Sequence, residues 1–168
     1  DTKADVIFAA YGFNESFAGE SGLPEFRQKL MTYVADLKAK AFNGKTGPRI
    51  ILVSPIANEN VKGVAAADRN NKNIEAYTKV MREVARAQNV GFVDAFAPTE
   101  KAMASGGSDL TINGCHLNDE GYRLLGSELF KQTFGKSAPA VNEAVRAVVQ
   151  EKNKQFFRRY RPVNTFYY

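Results

Sequence analysis

Apolar residues along this chain switch between unbroken short runs and spacings of three and four. Val6-Ile7-Phe8-Ala9-Ala10 is unbroken and has no helical period, which predicts a buried strand over 5–10. The loop that follows, 12–22, is rich in Gly, Ser and Asn. Pro24 suits the first turn of a helix, and Phe26, Leu30, Val34 and Leu37 then recur at helical spacing. Asn43-Gly44 and Gly47-Pro48 end that segment. Ile50-Ile51-Leu52-Val53 predicts a second strand, stopped by Pro55, and 56–67 reads as a long loop. A second helix is predicted over 68–87 with Ile74, Tyr77, Val80, Met81 and Val84 as its apolar stripe. Val90 to Asp94 reads as a short third strand, and 99–104 as a helical turn. Asn118 is placed to cap a helix running to about Phe134 through Tyr122, Leu124, Leu125 and Leu129.

Strand, helix, strand, helix, strand, helix is the order of an α/β domain, with a parallel sheet covered by helices on both faces. In such a sheet the loops at the carboxyl ends of the strands share one edge, where open α/β sheets place their sites. Here those loops carry Asn14, the 55–67 segment and the approach to His116. After Gly135-Lys136-Ser137-Ala138-Pro139 the character changes. Residues 140–160 are helix-prone, and the end of the chain is basic and aromatic. The expected division is therefore 1–135 and 136–168, within a length of 168 residues that suits one main domain.

The net charge of +5 changes little, because Arg146, Lys152, Lys154, Arg158, Arg159 and Arg161 hold the excess and the rest is close to balanced. A general polyanion surface, and with it nucleic acid, is not expected. The tail reads as a helix packing its aromatics on a neighbour rather than as a nucleic-acid arm. No apolar run approaches the roughly 20 residues of a membrane-spanning helix. One His and one Cys provide no metal-ligand spacing, and no Gly-rich phosphate loop is present, so neither metal nor cofactor is expected.

His116, the single histidine, is the one side chain here that exchanges protons near neutral pH without a special environment. Read alone, it can equally be a packed or solvated residue. Its run is Asn113-Gly114-Cys115-His116-Leu117-Asn118-Asp119-Glu120-Gly121-Tyr122. The other run of interest, Tyr11-Gly12-Phe13-Asn14-Glu15, follows the first strand directly. Cys115 adjoins the histidine, but neighbours on an extended loop point opposite ways, so its sulfur is expected to face the core. Ser16 and Ser54 read as loop and strand-end residues, and Ser108-Asp109-Leu110 lacks a strand-to-turn context.

Over residues 1–135 these two runs resemble the SGNH/GDSL hydrolases. That family carries a G-x-N-[DE] block after its third strand and a D-x-x-H block before its last helix. The resemblance implies a three-layer, doubly wound, flavodoxin-like parallel sheet of five strands. Only three strand-like runs occur here, so the domain is expected to be incomplete at its N-terminal side. The family's serine, in a Gly-Asp-Ser block after the first strand, is expected upstream of Asp1. The implied activity is hydrolysis of acyl or acetyl esters, including esters on carbohydrate. His116 is the implied base, with Asn14 and Gly12 at the oxyanion and Asn113 where the family has its acid. Asparagine can orient the ring but brings no charge. The implied partners are an ester substrate and the missing N-terminal segment. Family analogy alone favours a periplasmic or extracellular location over a cytoplasmic one. The alternative is a non-catalytic binding or scaffolding domain that kept the fold and lost the acid.

Overall fold

A computed structural model describes residues 2–161. Strand β1 (Val6–Ala10) leads through two short 3-10 turns, Glu15–Ala18 and Glu20–Gly22, into helix α1 (Leu23–Lys38). Strand β2 (Arg49–Val53) follows. The segment expected as plain loop instead holds a small hairpin, β3 (Asn60–Val61) with β4 (Val64–Ala65), before α2 (Ala66–Ala87). Strand β5 (Gly91–Val93), α3 (Phe96–Ala104) and α4 (Asp119–Phe134) complete a compact unit that ends at Ser137.

β1, β2 and β5 form a parallel sheet in that spatial order, with Phe8 opposite Ile51 and Leu52 opposite Phe92. β2 is central, which explains its unbroken apolar run: both faces are covered. Ile50 and Leu52 sit in one core with Phe26, Leu30, Val34 and Leu37 of α1 and Ile74's helix partners Tyr77, Met81 and Val84 of α2. Ile51 and Val53 face the other way, against Val93 and against Leu125 and Leu129 of α4. This unit is thus three layers deep, α1 and α2 on one side and α4 on the other.

β1 follows the same alternation but is covered on one side only. Ile7 and Ala9 join the α1–α2 core. Val6 and Phe8, on the opposite face, are 40% and 50% exposed. β1 is also an edge strand, so its outer backbone groups have no ladder partner among the described residues.

α3 starts three residues earlier than the sequence predicts, held by Asp94 Oδ1, which accepts from Ala97 N at 3.0 Å, and by the distant Ser54 hydroxyl. Ser54 Oγ accepts from the Ala95 and Phe96 amides at 2.8 and 3.1 Å, while Thr99 Oγ1 accepts from Ala57 N. α4 is capped locally, as expected: Asn118 Oδ1 accepts from Gly121 N at 3.0 Å, and Gly135 closes the helix at φ +68°.

Among the described residues, 138–161 belong to a second unit. Its helix α5 (Glu143–Tyr160) begins where Asn142 Oδ1 accepts from Val145 N. Phe156 and Tyr160 stack one turn apart at 4.9 Å. The basic, aromatic end expected over 162–168 lies outside the described residues. No helix among the described residues is long and apolar enough to cross a membrane.

Candidate active site

The loops leaving β1, β2 and β5 all start from the carboxyl edge of the sheet, because the strands are parallel. Gly12 turns the chain out of β1 at φ +100°, and a Cβ there would lie 3.2 Å from Met81 Sδ and 3.3 Å from Pro55 Cγ. Only glycine satisfies both the backbone angle and the close approach. Its N–H, expected at the oxyanion, is already donated to Glu15 Oε2 at 3.0 Å. Gly12 therefore serves the turn, and Glu15 orders the loop. The side chain of Asn14 is exposed and has no hydrogen-bond partner among the described residues, so its amide hydrogens are free to meet a ligand.

His116 sits in a tight loop whose order is imposed from within. Thr111 bridges Leu117 as an isolated antiparallel pair, and Ile112 N donates to His116 O at 2.8 Å. Gly114 makes the reversal at φ +90°, where a Cβ would stand 2.9 Å from Glu59 O. At the corner, Asn113 Oδ1 accepts from His116 N at 3.0 Å and faces His116 Nδ1 at 3.1 Å. Backbone N–H can only donate, so the Asn113 atom at this corner is its oxygen. That oxygen can only accept, so Nδ1 carries the proton and Nε2 keeps its lone pair. In that tautomer the exposed ring can accept a proton at Nε2.

Cys115 departs from expectation. Its sulfur lies 3.3 Å from His116 Nδ1 and 3.6 Å from Asn113 Oδ1, beside the ring rather than towards the core. The loop is not extended here. The turn at Gly114 brings residues 115 and 116 onto one side. The sulfur nevertheless meets Nδ1 and not Nε2, so it stands behind the base. Ser16 is 1% exposed and donates to Phe13 O at 2.6 Å, and Ser54 is buried under the α3 cap. Neither hydroxyl is free to attack. Asp119 lies in the first turn of α4, where its charge favours the helix N-terminus.

Asn58 and Glu59, inside the stretch expected as loop, carry the His116 loop on the end of β2. Glu59 is 5% exposed. It accepts from Leu110 N, Thr111 N and Thr111 Oγ1, the last at 2.6 Å. Glu59 N and Asn58 Nδ2 both donate to Gly114 O, at 2.9 and 2.8 Å. Asn58 is held in turn by Asn71 of α2. Segment 54–59 so joins the two sequence runs: Pro55 lies against Gly12, and Asn58 and Glu59 hold Gly114. The only trace of this in the sequence is a polar pair directly after an apolar strand end, which has no period to mark it.

On the α1 side of the Gly12 loop, a cavity of about 310 Å³ is lined by Tyr11, Glu15, Phe26, Lys29, Tyr33 and Tyr77. A hydrogen bond with Tyr11, then burial, pushes the Tyr33 phenol up to about 12. Burial raises Tyr77 as well, and its hydroxyl donates to Gly19 O. Among the described residues no cluster of three or more His, Cys, Asp or Glu side chains is placed to hold a metal ion.

The GDSL-like lipase/acylhydrolase family matches residues 1–124. No curated protein matches the sequence. Among solved structures, an acetylxylan esterase from Geobacillus stearothermophilus is similar at 17% identity and a TM-score of 0.61, over 83% of this chain and 64% of that one. A lipase/acylhydrolase from Enterococcus faecalis is similar at 21% identity and a TM-score of 0.56, over 82% of this chain and 65% of its own. The chain thus spans a little under two thirds of each. Catalytic mutants of the Geobacillus esterase replace a serine, an aspartate and a histidine, the histidine three positions after the aspartate.

Proposed function

The chain belongs to the GDSL-like lipase/acylhydrolase family, and we propose that it carries the base and the oxyanion donor of an ester hydrolase whose serine lies upstream of Asp1. The observation that supports this reading best is the Asn113–His116 pair, in which Oδ1 faces Nδ1 of an exposed ring and leaves Nε2 to meet a proton. Its spacing equals that of the aspartate and histidine replaced in the Geobacillus esterase. The coverage of about two thirds of that esterase, and the uncovered edge strand β1, favour a further segment of the same domain on that side. That segment is the proposed source of the nucleophile.

The chemistry follows from the atoms. Nε2 of His116 takes the hydroxyl proton of the serine as its oxygen attacks the ester carbonyl. The developing oxyanion is met by the Asn14 side-chain N–H, a fixed donor of the kind whose loss costs about 3 kcal/mol. The imidazolium then protonates the departing alcohol, and water repeats the cycle on the acyl-enzyme. Asn113 keeps Nδ1–H in place throughout but adds no charge to stabilise the imidazolium. The proposed substrates are acetyl or other short acyl esters. An acetylated xylo-oligosaccharide is the first carbohydrate to try, given the esterase to which the chain is similar.

The rival reading, a non-catalytic binding domain, rests on the missing charge at Asn113. One experiment separates the two: acetate release from an aryl acetate by the protein with its native upstream residues. Asn14→Ala should lower kcat about 10²–10³-fold with little change in KM. Asn113→Asp should hold or raise kcat, because a carboxylate there stabilises the imidazolium. No turnover in the parent protein and in Asn113→Asp alike would favour the binding domain.

A further inference from the structure

Glu59 is buried, and the hydrogen bonds that tie residues 110–114 to the end of β2 pass through it or its neighbour Asn58. Its carboxylate accepts from Leu110 N, Thr111 N and Thr111 Oγ1. Thr111 Oγ1 passes the restraint on by accepting from Gly114 N at 3.0 Å. The Glu59 amide reaches the other side of the same turn, at Gly114 O. The turn at Gly114 is what brings Asn113 Oδ1 back onto both the amide and Nδ1 of His116.

We propose that Glu59 is a positioning residue for His116, which fixes the Nδ1–H tautomer of an exposed imidazole by holding the 110–117 loop from below. This rests on the reading of His116 as the base. Four hydrogen bonds converge on its carboxylate, and all three donors reach Oε2. Those donors are two backbone amides and a hydroxyl, with Leu110 N shared between both oxygens. Glutamine has the same shape, but with its oxygen in the place of Oε2 its NH2 would stand against the Leu110 amide, donor facing donor, and loosen the anchor. Without the anchor the turn relaxes, Asn113 Oδ1 leaves Nδ1, and the ring reverts to the Nε2–H tautomer that an unconstrained imidazole prefers. In that tautomer Nε2 holds a proton and cannot take one.

His116 is the single histidine, so its ring nitrogens are the only imidazole signals in the 168-residue chain. Nitrogen-15 NMR at a pH where the ring is neutral reads the tautomer directly, with no need for turnover. The parent chain should show Nδ1 protonated and Nε2 bare. Glu59→Gln should move the Nε2 signal to the protonated position, with amide signals of β1, β2, α1 and α2 unchanged. Thr111→Val removes the same link and serves if Glu59→Gln fails to fold, while Glu59→Asp, which restores the charge, should recover part of the parent tautomer. In the protein with its upstream residues, Glu59→Gln should cut kcat about 10²-fold with KM within about twofold. A parent ring protonated on Nε2, or a folded Glu59→Gln chain with the parent tautomer, would overturn the proposal. Failure of the base reading would look different: full turnover in His116→Ala, whatever the tautomer.

Discussion

At the scale of single residues, the site is built from groups whose protons are already assigned by their neighbours. Asn113 Oδ1 faces Nδ1 of His116, Glu15 takes the Gly12 amide, and the Asn14 side-chain amide has no partner among the described residues. The same logic sets the behaviour of Tyr33. Its folded pKa of about 12 lies above the unfolded value of about 10. The fold therefore favours the neutral phenol. The stability this adds is complete below pH 10 and is lost as pH rises through about 12. Urea unfolding of the chain between pH 9 and 12 should show a decline in stability that is shallower in Tyr33→Phe than in the parent. Equal slopes would mean that the Tyr11–Tyr33 contact does not hold the proton.

At the scale of elements, coverage matters more than composition. Leu52 and Phe8 are both apolar strand residues, but Leu52 is 0% exposed between layers and Phe8 is 50% exposed on the open face of β1. Leu52→Ala should cost about 2–5 kcal/mol in a urea titration, and Phe8→Ala well under 1 kcal/mol in the 168-residue chain. In the protein with its upstream residues, Phe8→Ala should become costly, because the proposed segment covers that face. An equally small effect there would argue against that segment packing on β1. What was legible in the sequence divides along the same line. The run at Ile50–Val53 and the stripes of α1 and α2 show their period because each is packed along its own length. The α3 start was not read from the sequence: Asp94 caps it locally at Ala97 N, but Ser54 holds the two preceding amides from 41 and 42 residues away. The β3–β4 hairpin is two residues a side, too short for a period. In the site, Asn14, Asn113 and His116 stood out through their family-like runs. Glu59 did not, because its four hydrogen bonds span 51 and 52 residues. The position of Cys115 depended on the turn at Gly114, which no pairwise pattern announces.

At the scale of the whole molecule, three parallel strands in three layers bring two loops to one sheet edge and leave the far side of β1 uncovered. These facts fit the proposal that His116 activates a serine entering from that uncovered side. The most direct measurement is reaction of the protein, extended through its native upstream residues, with a serine-directed fluorophosphonate, read by mass spectrometry of the intact protein and its peptides. The account predicts one adduct per molecule, on a serine preceding Asp1, and loss of the adduct in His116→Ala. An adduct on Ser16, Ser54, Ser108 or Cys115, or full labelling of the His116→Ala protein, would contradict it.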